Sequence, residues 1–163
     1  MSPVEQRGFL LIDSTIVKAH PHAAGARREG GLAKSEGLGR SRGGFTTKLH
    51  AIVSETGSLV RYVLTGGEAH DITQAETLVA SRDGVGVHVG RLRMRVVIPS
   101  RSDRKRARRL DRARYRSRNV IERWFGRVKG FRRVATRYDK TAVSYVGFVA
   151  TAAMLVALTG WRG

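Results

Sequence analysis

The sequence contains no cysteine among its 163 residues. Disulfide bridges, thiolate zinc sites and cysteine nucleophiles are therefore excluded. The first residues lack a basic segment followed by a long apolar run, so we expect no secretory signal. A chain of this length can bury the core of one compact domain, and we expect a single domain over residues 1–163.

Acidic residues are scarce in this chain. Thirteen Asp and Glu stand against 31 Lys and Arg, which gives a net charge of +18. Twenty of the basic residues lie between Arg91 and Lys140. Such a concentration of charge predicts a polyanionic partner, either a nucleic acid or an anionic membrane. Arginine predominates in this stretch, which favours planar contacts to phosphate.

Residues 142–161 form the one long run without a charged side chain, and this length could cross a bilayer. The run also contains hydroxyl and small residues, among them Ser144 and Thr151. Both flanks are basic, so they give no topology signal. We therefore expect a buried apolar C-terminal helix over residues 142–160 rather than a membrane span.

Near the start of the chain, residues 9–12 are an apolar run that predicts a buried strand with Asp13 at its end. A carboxylate in that position is a candidate metal ligand, although Asp-Ser-Thr is also an ordinary turn or capping sequence. His20 and His22 are interpreted as polar residues near the path of a nucleic acid. A metal ion shared by the two histidines is the less favoured alternative.

Residues 23–44 are rich in glycine and basic side chains, a composition that predicts a mobile surface loop. Arg40 and Arg42 in this loop are candidate contacts to a DNA backbone, and a plain solvated linker is the alternative. The stretch is not a P-loop, because the Gly-Lys-Ser/Thr ending is missing.

Residues 45–53 and 59–64 are two β-prone runs separated by a turn that contains glycine. This pattern predicts a β-hairpin. Asp71 follows a glycine pair, and we expect it to cap a helix over residues 72–80.

The most informative stretch is a predicted helix over residues 114–131. Four of its side chains recur at offsets of three, four and seven and project from one side: Tyr115, Arg118, Glu122 and Lys129. Glu122 is the only acid in residues 112–138. It is either an internal counter-ion on a basic helix or a metal ligand whose basic neighbours hold a polyanion.

The spacing of these four residues resembles the signature of insertion-sequence transposases with an Asp-Asp-Glu (DDE) active site. The segments LIDSTIVKAH around Asp13 and RRVATRYDK after the helix are also similar to that family. The resemblance implies an α/β fold with a ribonuclease H-like mixed sheet, in which three antiparallel strands precede α/β units and C-terminal helices.

For the site, the resemblance implies that Asp13 and Glu122 are catalytic acids that bind Mg²⁺ or Mn²⁺. It implies that Tyr115, Arg118 and Lys129 contact DNA. The expected partners are the DNA of the element ends and target, a second copy of the chain when active, and a separate N-terminal transposase polypeptide. No membrane partner is expected, and the expected location is the bacterial cytoplasm at the nucleoid.

One part of the family pattern is missing. The strand with the second catalytic Asp has no counterpart, and residues 81–93 are a shortened, glycine-rich region. Asp83, the one acid there, lies on the wrong side of the apolar residues 85–89. We therefore expect a partial copy of a DDE transposase, defective in catalysis. A non-catalytic basic nucleic-acid-binding protein and a membrane-associated cationic protein are the alternatives.

Overall fold

The computed structural model describes residues 9–24, 36–71, 74, 75, 78 and 111–159. This part of the chain forms a mixed sheet with helices, which agrees with the expected α/β class. The strands are β1 (Leu10–Ala19), β2 (Gly39–Ser41), β3 (Gly44–Ser54), β4 (Leu59–Gly66) and β5 (Thr136–Arg137). The helices with both ends among the described residues are α1 (Pro21–Ala24), α2 (Arg112–Arg116), α3 (Asn119–Val128), α4 (Arg132–Ala135) and α5 (Ala142–Leu158).

Strand β3 is the centre of the sheet. Along one edge it pairs antiparallel with β1, and along the other it pairs antiparallel with β2 and then with β4. Strand β5 joins β1 in parallel at Lys18 and Ala19. The predicted hairpin is confirmed as β3 and β4, and its turn contains Gly57 with a φ of +79°, a conformation that glycine adopts without steric cost.

Strand β1 does not end at Asp13, as the apolar run had suggested, but continues to Ala19. The β-branched residues that follow Asp13 keep the chain extended, and each continues the pairing with β3. Asp13 therefore lies within a strand whose successive side chains point to opposite faces of the sheet. Leu11 and Val17 belong to the buried core, so Asp13 and Thr15 share the face that the helices cover.

The core lies between this face and helices α3 and α5. Helix α3 buries the side chains that recur at helical spacing, including Trp124, which is fully buried. Trp124 is therefore a core residue. Helix α5 contributes Tyr145 and Val149 to the same core.

The glycine-rich loop predicted over residues 23–44 is only partly a loop. Arg40 lies in strand β2, and Leu38 just before it is buried. The short antiparallel pairing with β3 gives these backbone groups hydrogen-bond partners despite the loop-like composition. Residues 25–35 lie outside the described residues.

The single helix predicted over residues 114–131 is two helices. Helix α2 ends at Arg116 and α3 begins at Asn119. Between them, the amide of Arg118 donates to the carbonyl of Tyr115 at 3.0 Å and the amide of Val120 donates to Ser117 at 2.9 Å. These tighter i to i+3 bonds interrupt the helix, so the backbone of Tyr115 belongs to α2 and Glu122 belongs to α3.

The predicted C-terminal helix is confirmed as α5. Thr141 caps it by accepting a hydrogen bond from the amide of Ser144. The helix packs one side on the core but leaves Val143 and Leu158 largely exposed. Of the helices among the described residues, none is long and apolar enough to span a membrane.

Candidate active site

The candidate site forms where α3 crosses the covered face of β1. The Arg118 side chain lies at the centre, and its guanidinium nitrogens have three different partners. Nη2 lies 3.0 Å from Oδ2 of Asp13, Nε lies 3.4 Å from Oε1 of Glu122, and Nη1 donates to the Tyr115 hydroxyl at 3.2 Å. We call Asp13, Tyr115, Arg118 and Glu122 the Arg118 cluster.

The hydrogen bond to Tyr115 and then the bond to Asp13 raise the pKa of Arg118 above its usual value. The cluster is partly open to solvent: the side chains of Arg118, Asp13 and Glu122 are 45%, 23% and 57% exposed. Two acids from distant parts of the chain therefore share one cation at the surface of the sheet.

Lys129 lies beside the Arg118 cluster and holds the end of α3 on β1. Its ammonium donates to Oγ1 of Thr15 at 2.5 Å and to the carbonyl of Ile16 at 3.1 Å. Burial lowers the pKa of Lys129. An ammonium has three N–H donors, so these two bonds leave one donor without a partner among the described residues.

The donor set fits a divalent cation in part. Carboxylate oxygens are the ligands that Mg²⁺ prefers, and Mg²⁺ commonly keeps several waters beside one or two carboxylates. Asp13 and Glu122 provide such a pair, with solvent access for waters. Within the described ranges, however, no three His, Asp or Glu side chains lie close enough to hold one ion. Residues 81–93 form the shortened region in which the sequence lacks the second catalytic Asp. These residues, which include Asp83, lie outside the described ranges.

A second polar cluster lies on the opposite face of β1. Ser14 donates to Oδ1 of Asp71 at 2.7 Å, and the same oxygen lies 3.2 Å from Nζ of Lys48 and 3.9 Å from Nδ1 of His50. Lys48 also donates to the carbonyl of Ala69 at 2.6 Å. We call Ser14, Lys48, His50 and Asp71 the Asp71 cluster.

Burial lowers the pKa of His50 most, and the charge of Lys48 lowers it further, against the raising effect of Asp71. Burial alone would raise the pKa of Asp71, but hydrogen bonds from Ser14 and Lys48 and the nearby positive charges bring it below its usual value. The sequence suggested only a capping role for Asp71, and residues 72 and 73, part of the turn it would cap, lie outside the described ranges. The sequence feature that could have indicated this cluster is the spacing of Lys48 and His50, which lie two residues apart on one face of a strand.

The histidines near the end of β1 are placed apart from both clusters. The rings of His20 and His22 are 4.7 Å apart edge to face, and His20 stacks on Tyr138 at 4.7 Å. Nδ1 of His20 accepts a hydrogen bond from the amide of His22. These contacts provide local packing, and a DNA-path role remains a prediction.

Arg40 and Arg42 are exposed near the same end of the sheet, and Arg40 lies over the ring of Phe45. Arg40 pairs with Phe45 on β3, whereas Asp13 pairs with Ala51. Six residues of strand separate the two pairs, which is roughly 20 Å. The structure thus does not bring these arginines to the Arg118 cluster.

Arg137 lies in a different environment from the one that its position in the basic stretch predicted. Its side chain is fully buried, although its position in the basic stretch suggested contact with a polyanion. It donates to the carbonyls of Glu36, Asp139 and Lys140 and to the hydroxyl of Thr47, so it ties the first strands to the last helix. No motif distinguishes it from its exposed neighbours.

Comparison with known proteins identifies the class. Two family models, both described as Transposase DDE domain, match residues 5–90 and residues 85–159. The chain belongs to the DDE transposase family.

Among individual proteins, the chain is 32% identical over 128 residues to a protein of Brucella ovis named as a transposase for insertion sequence element IS6501. The match covers 69% of this chain and 98% of the relative. No solved structure matches the chain.

Proposed function

We propose that this chain is a DNA-binding transposase domain of the Tyr-Arg-Glu-Lys subgroup, with two of the three acids of a DDE site. The observation that carries the proposal is the Arg118 cluster. It joins Asp13 and the Arg118 guanidinium, 105 residues apart in sequence, and holds Glu122 on the same guanidinium. A metal-dependent phosphoryl-transfer site needs acids brought together from separate parts of the chain, and this cluster does so for two.

Within this proposal, Asp13 and Glu122 hold Mg²⁺ or Mn²⁺, and Tyr115, Arg118 and Lys129 contact DNA phosphates. A divalent ion bound there would stabilise negative charge at the reacting phosphate and activate a water or 3′-hydroxyl. The remaining donor of Lys129 and the Arg118 fork would orient the phosphate and offset its charge. Tyr115 would fix the plane of the Arg118 guanidinium through its hydroxyl.

We propose that the sheet is a ribonuclease H-like sheet that has lost part of its middle. The order of β1, β3 and β4, with a parallel strand on the far edge of β1, supports this assignment. The two family models meet at residues 85–90, inside the shortened region, which supports a partial copy. With one acid missing, we expect DNA cleavage to be weak or lost while DNA binding remains.

The proposed partners are DNA at element ends and targets, a separate N-terminal polypeptide, and a second copy of the chain. Exposed apolar side chains on α5, such as Val143 and Leu158, support self-association. A non-catalytic nucleic-acid-binding protein is the second candidate function, and the incomplete set of acids favours it.

The test is a nicking and strand-transfer assay with Mg²⁺ or Mn²⁺, together with a salt series of DNA-binding constants. We expect affinity to fall steeply with salt, because each neutralised phosphate releases counterions. We expect at most weak cleavage, lost in Asp13→Asn and Glu122→Gln and kept in Glu55→Gln, a matched change in the exposed β3–β4 turn.

Two results would contradict the proposal. Vigorous cleavage that both site variants abolish would show a complete site and refute the catalytic defect. Affinity for DNA that does not depend on salt would refute the phosphate contacts.

A further inference from the structure

The Arg118 guanidinium occupies the place where the proposed site would need a cation. Oδ1 of Asp13 accepts the amide of Ser14 at 2.9 Å, and Oδ2 lies 3.0 Å from Arg118. The Glu122 carboxylate is held by the same guanidinium through Nε. Both acids are therefore paired with one side chain, whose single positive charge offsets only one of the two negative charges.

A guanidinium and a divalent ion compete for such oxygens. The guanidinium lies against Oδ2 of Asp13 and Oε1 of Glu122, and two cations at hydrogen-bonding range repel each other in a partly buried site. A divalent ion shared by Asp13 and Glu122 is therefore favoured when Arg118 moves away.

Arg118 is able to move, in contrast to Arg137. Nearly half of its side chain is exposed, and its ion pair with Glu122 is solvent-exposed, a kind of pair that is weak individually. Arg137 is fully buried and donates to several backbone carbonyls. A phosphate group offers the Arg118 fork two parallel charge-assisted hydrogen bonds, which are stronger than either ion pair.

We propose that Arg118 is a positioning residue that couples the two ligands of the site. In the DNA-free chain it holds Asp13 and Glu122 in place, and a DNA phosphate draws it away and frees both carboxylates for a divalent ion. DNA and metal therefore bind with positive coupling, and each raises the affinity for the other by the same factor. The inference rests on the proposed function for the identity of these two ligands.

The experiment measures Mn²⁺ binding to the full chain by electron paramagnetic resonance, with and without a short DNA duplex. The same duplex with Asp13→Asn protein provides the background from Mn²⁺ held by DNA. In the wild type, we expect DNA to tighten Mn²⁺ binding by about 5-fold or more, the lower end of typical coupling. In Arg118→Gln, we expect tight Mn²⁺ binding without DNA and a coupling factor near one.

Two further variants separate position from charge. Arg132→Gln removes the same charge from an exposed residue of α4, and we expect it to keep the wild-type coupling. Arg118→Lys keeps the charge but loses the planar fork, and we expect an intermediate coupling factor. Far-ultraviolet circular dichroism checks that each variant is folded, and Arg118→Lys serves as the test if Arg118→Gln does not fold.

The outcomes distinguish this inference from the proposed function. Mn²⁺ binding that Asp13→Asn weakens, but that neither DNA nor the loss of Arg118 changes, overturns the coupling and leaves the metal site intact. Mn²⁺ binding that Asp13→Asn does not weaken in any state overturns the proposed metal site itself, and the coupling with it.

Discussion

The two polar clusters on opposite faces of β1 have opposite designs. In the Arg118 cluster a half-exposed cation is shared by two acids. In the Asp71 cluster an acid is shared by a hydroxyl, an ammonium and an imidazole, and the side chains of Lys48 and His50 are only 12% and 3% exposed. The first cluster leaves carboxylate lone pairs and solvent access for a ligand. In the second cluster the ammonium and the imidazole are buried while Asp71 is 64% exposed, and the hydrogen bonds fasten Asp71 to the sheet.

The largest expected difference concerns metal affinity. Asp13→Asn should weaken Mn²⁺ binding in the presence of DNA by about 10-fold or more, since losses of groups that support a metal site cost 10- to 100-fold. Asp71→Asn should leave Mn²⁺ affinity unchanged and lower the free energy of unfolding by about 0.5–1 kcal/mol, the size of an exposed ion pair. Metal titration and urea unfolding measure the two effects. Loss of Mn²⁺ affinity in Asp71→Asn would mean that Asp71 supplies the missing acid.

A second comparison uses Lys48, which belongs to the Asp71 cluster, and Lys129, which lies beside the Arg118 cluster, because each donates to a backbone carbonyl of another segment. Lys48→Met should lower the free energy of unfolding by about 1 kcal/mol, the usual net contribution of a hydrogen bond, and should leave DNA affinity unchanged. Lys129→Met should likewise lower the free energy of unfolding. In addition, it should reduce the slope of log K for DNA against log salt concentration by about one phosphate contact.

The control for the lysine pair is Lys140→Met, which removes an exposed charge outside both clusters. If Lys129→Met and the wild type have the same salt slope, Lys129 only holds α3 on β1 and does not contact DNA.

The smallest expected effect is a pH dependence specific to the Asp71 cluster. The folded pKa of His50 lies below its usual value of 6.5, so between these two values the unfolded chain binds more protons than the folded one. Stability should therefore be complete above pH 6.5 and fall as the pH drops through the folded pKa. Urea midpoints on both sides of pH 6.5 should show this slope in the wild type and a reduced slope in His50→Gln. Equal slopes in the two proteins would contradict it.

Patterns of local origin were predicted from the sequence, and contacts between distant segments were not. The two β-prone runs predicted the β3–β4 hairpin, and the uncharged run over residues 142–161 predicted α5. The partners of Arg118 and Asp71 depend on how α3 and the helical residues after β4 dock on β1, 105 and 57 residues away in sequence. Arg137 was misplaced because arginine is almost never fully buried unless paired, and its acceptors are backbone carbonyls that carry no sequence signal.

Burial of Arg137 also has a consequence for synthesis of the chain on the ribosome. Its hydrogen bonds reach back to Thr47 and Glu36, 90 and 101 residues earlier. Strand β3 and its neighbours emerge long before the guanidinium and helices that complete their core, because the chain grows from its N-terminus. Until then the apolar face of the sheet is open to aggregation and to chaperones. The segment from Arg137 through α5 thus completes the closure of the nascent domain.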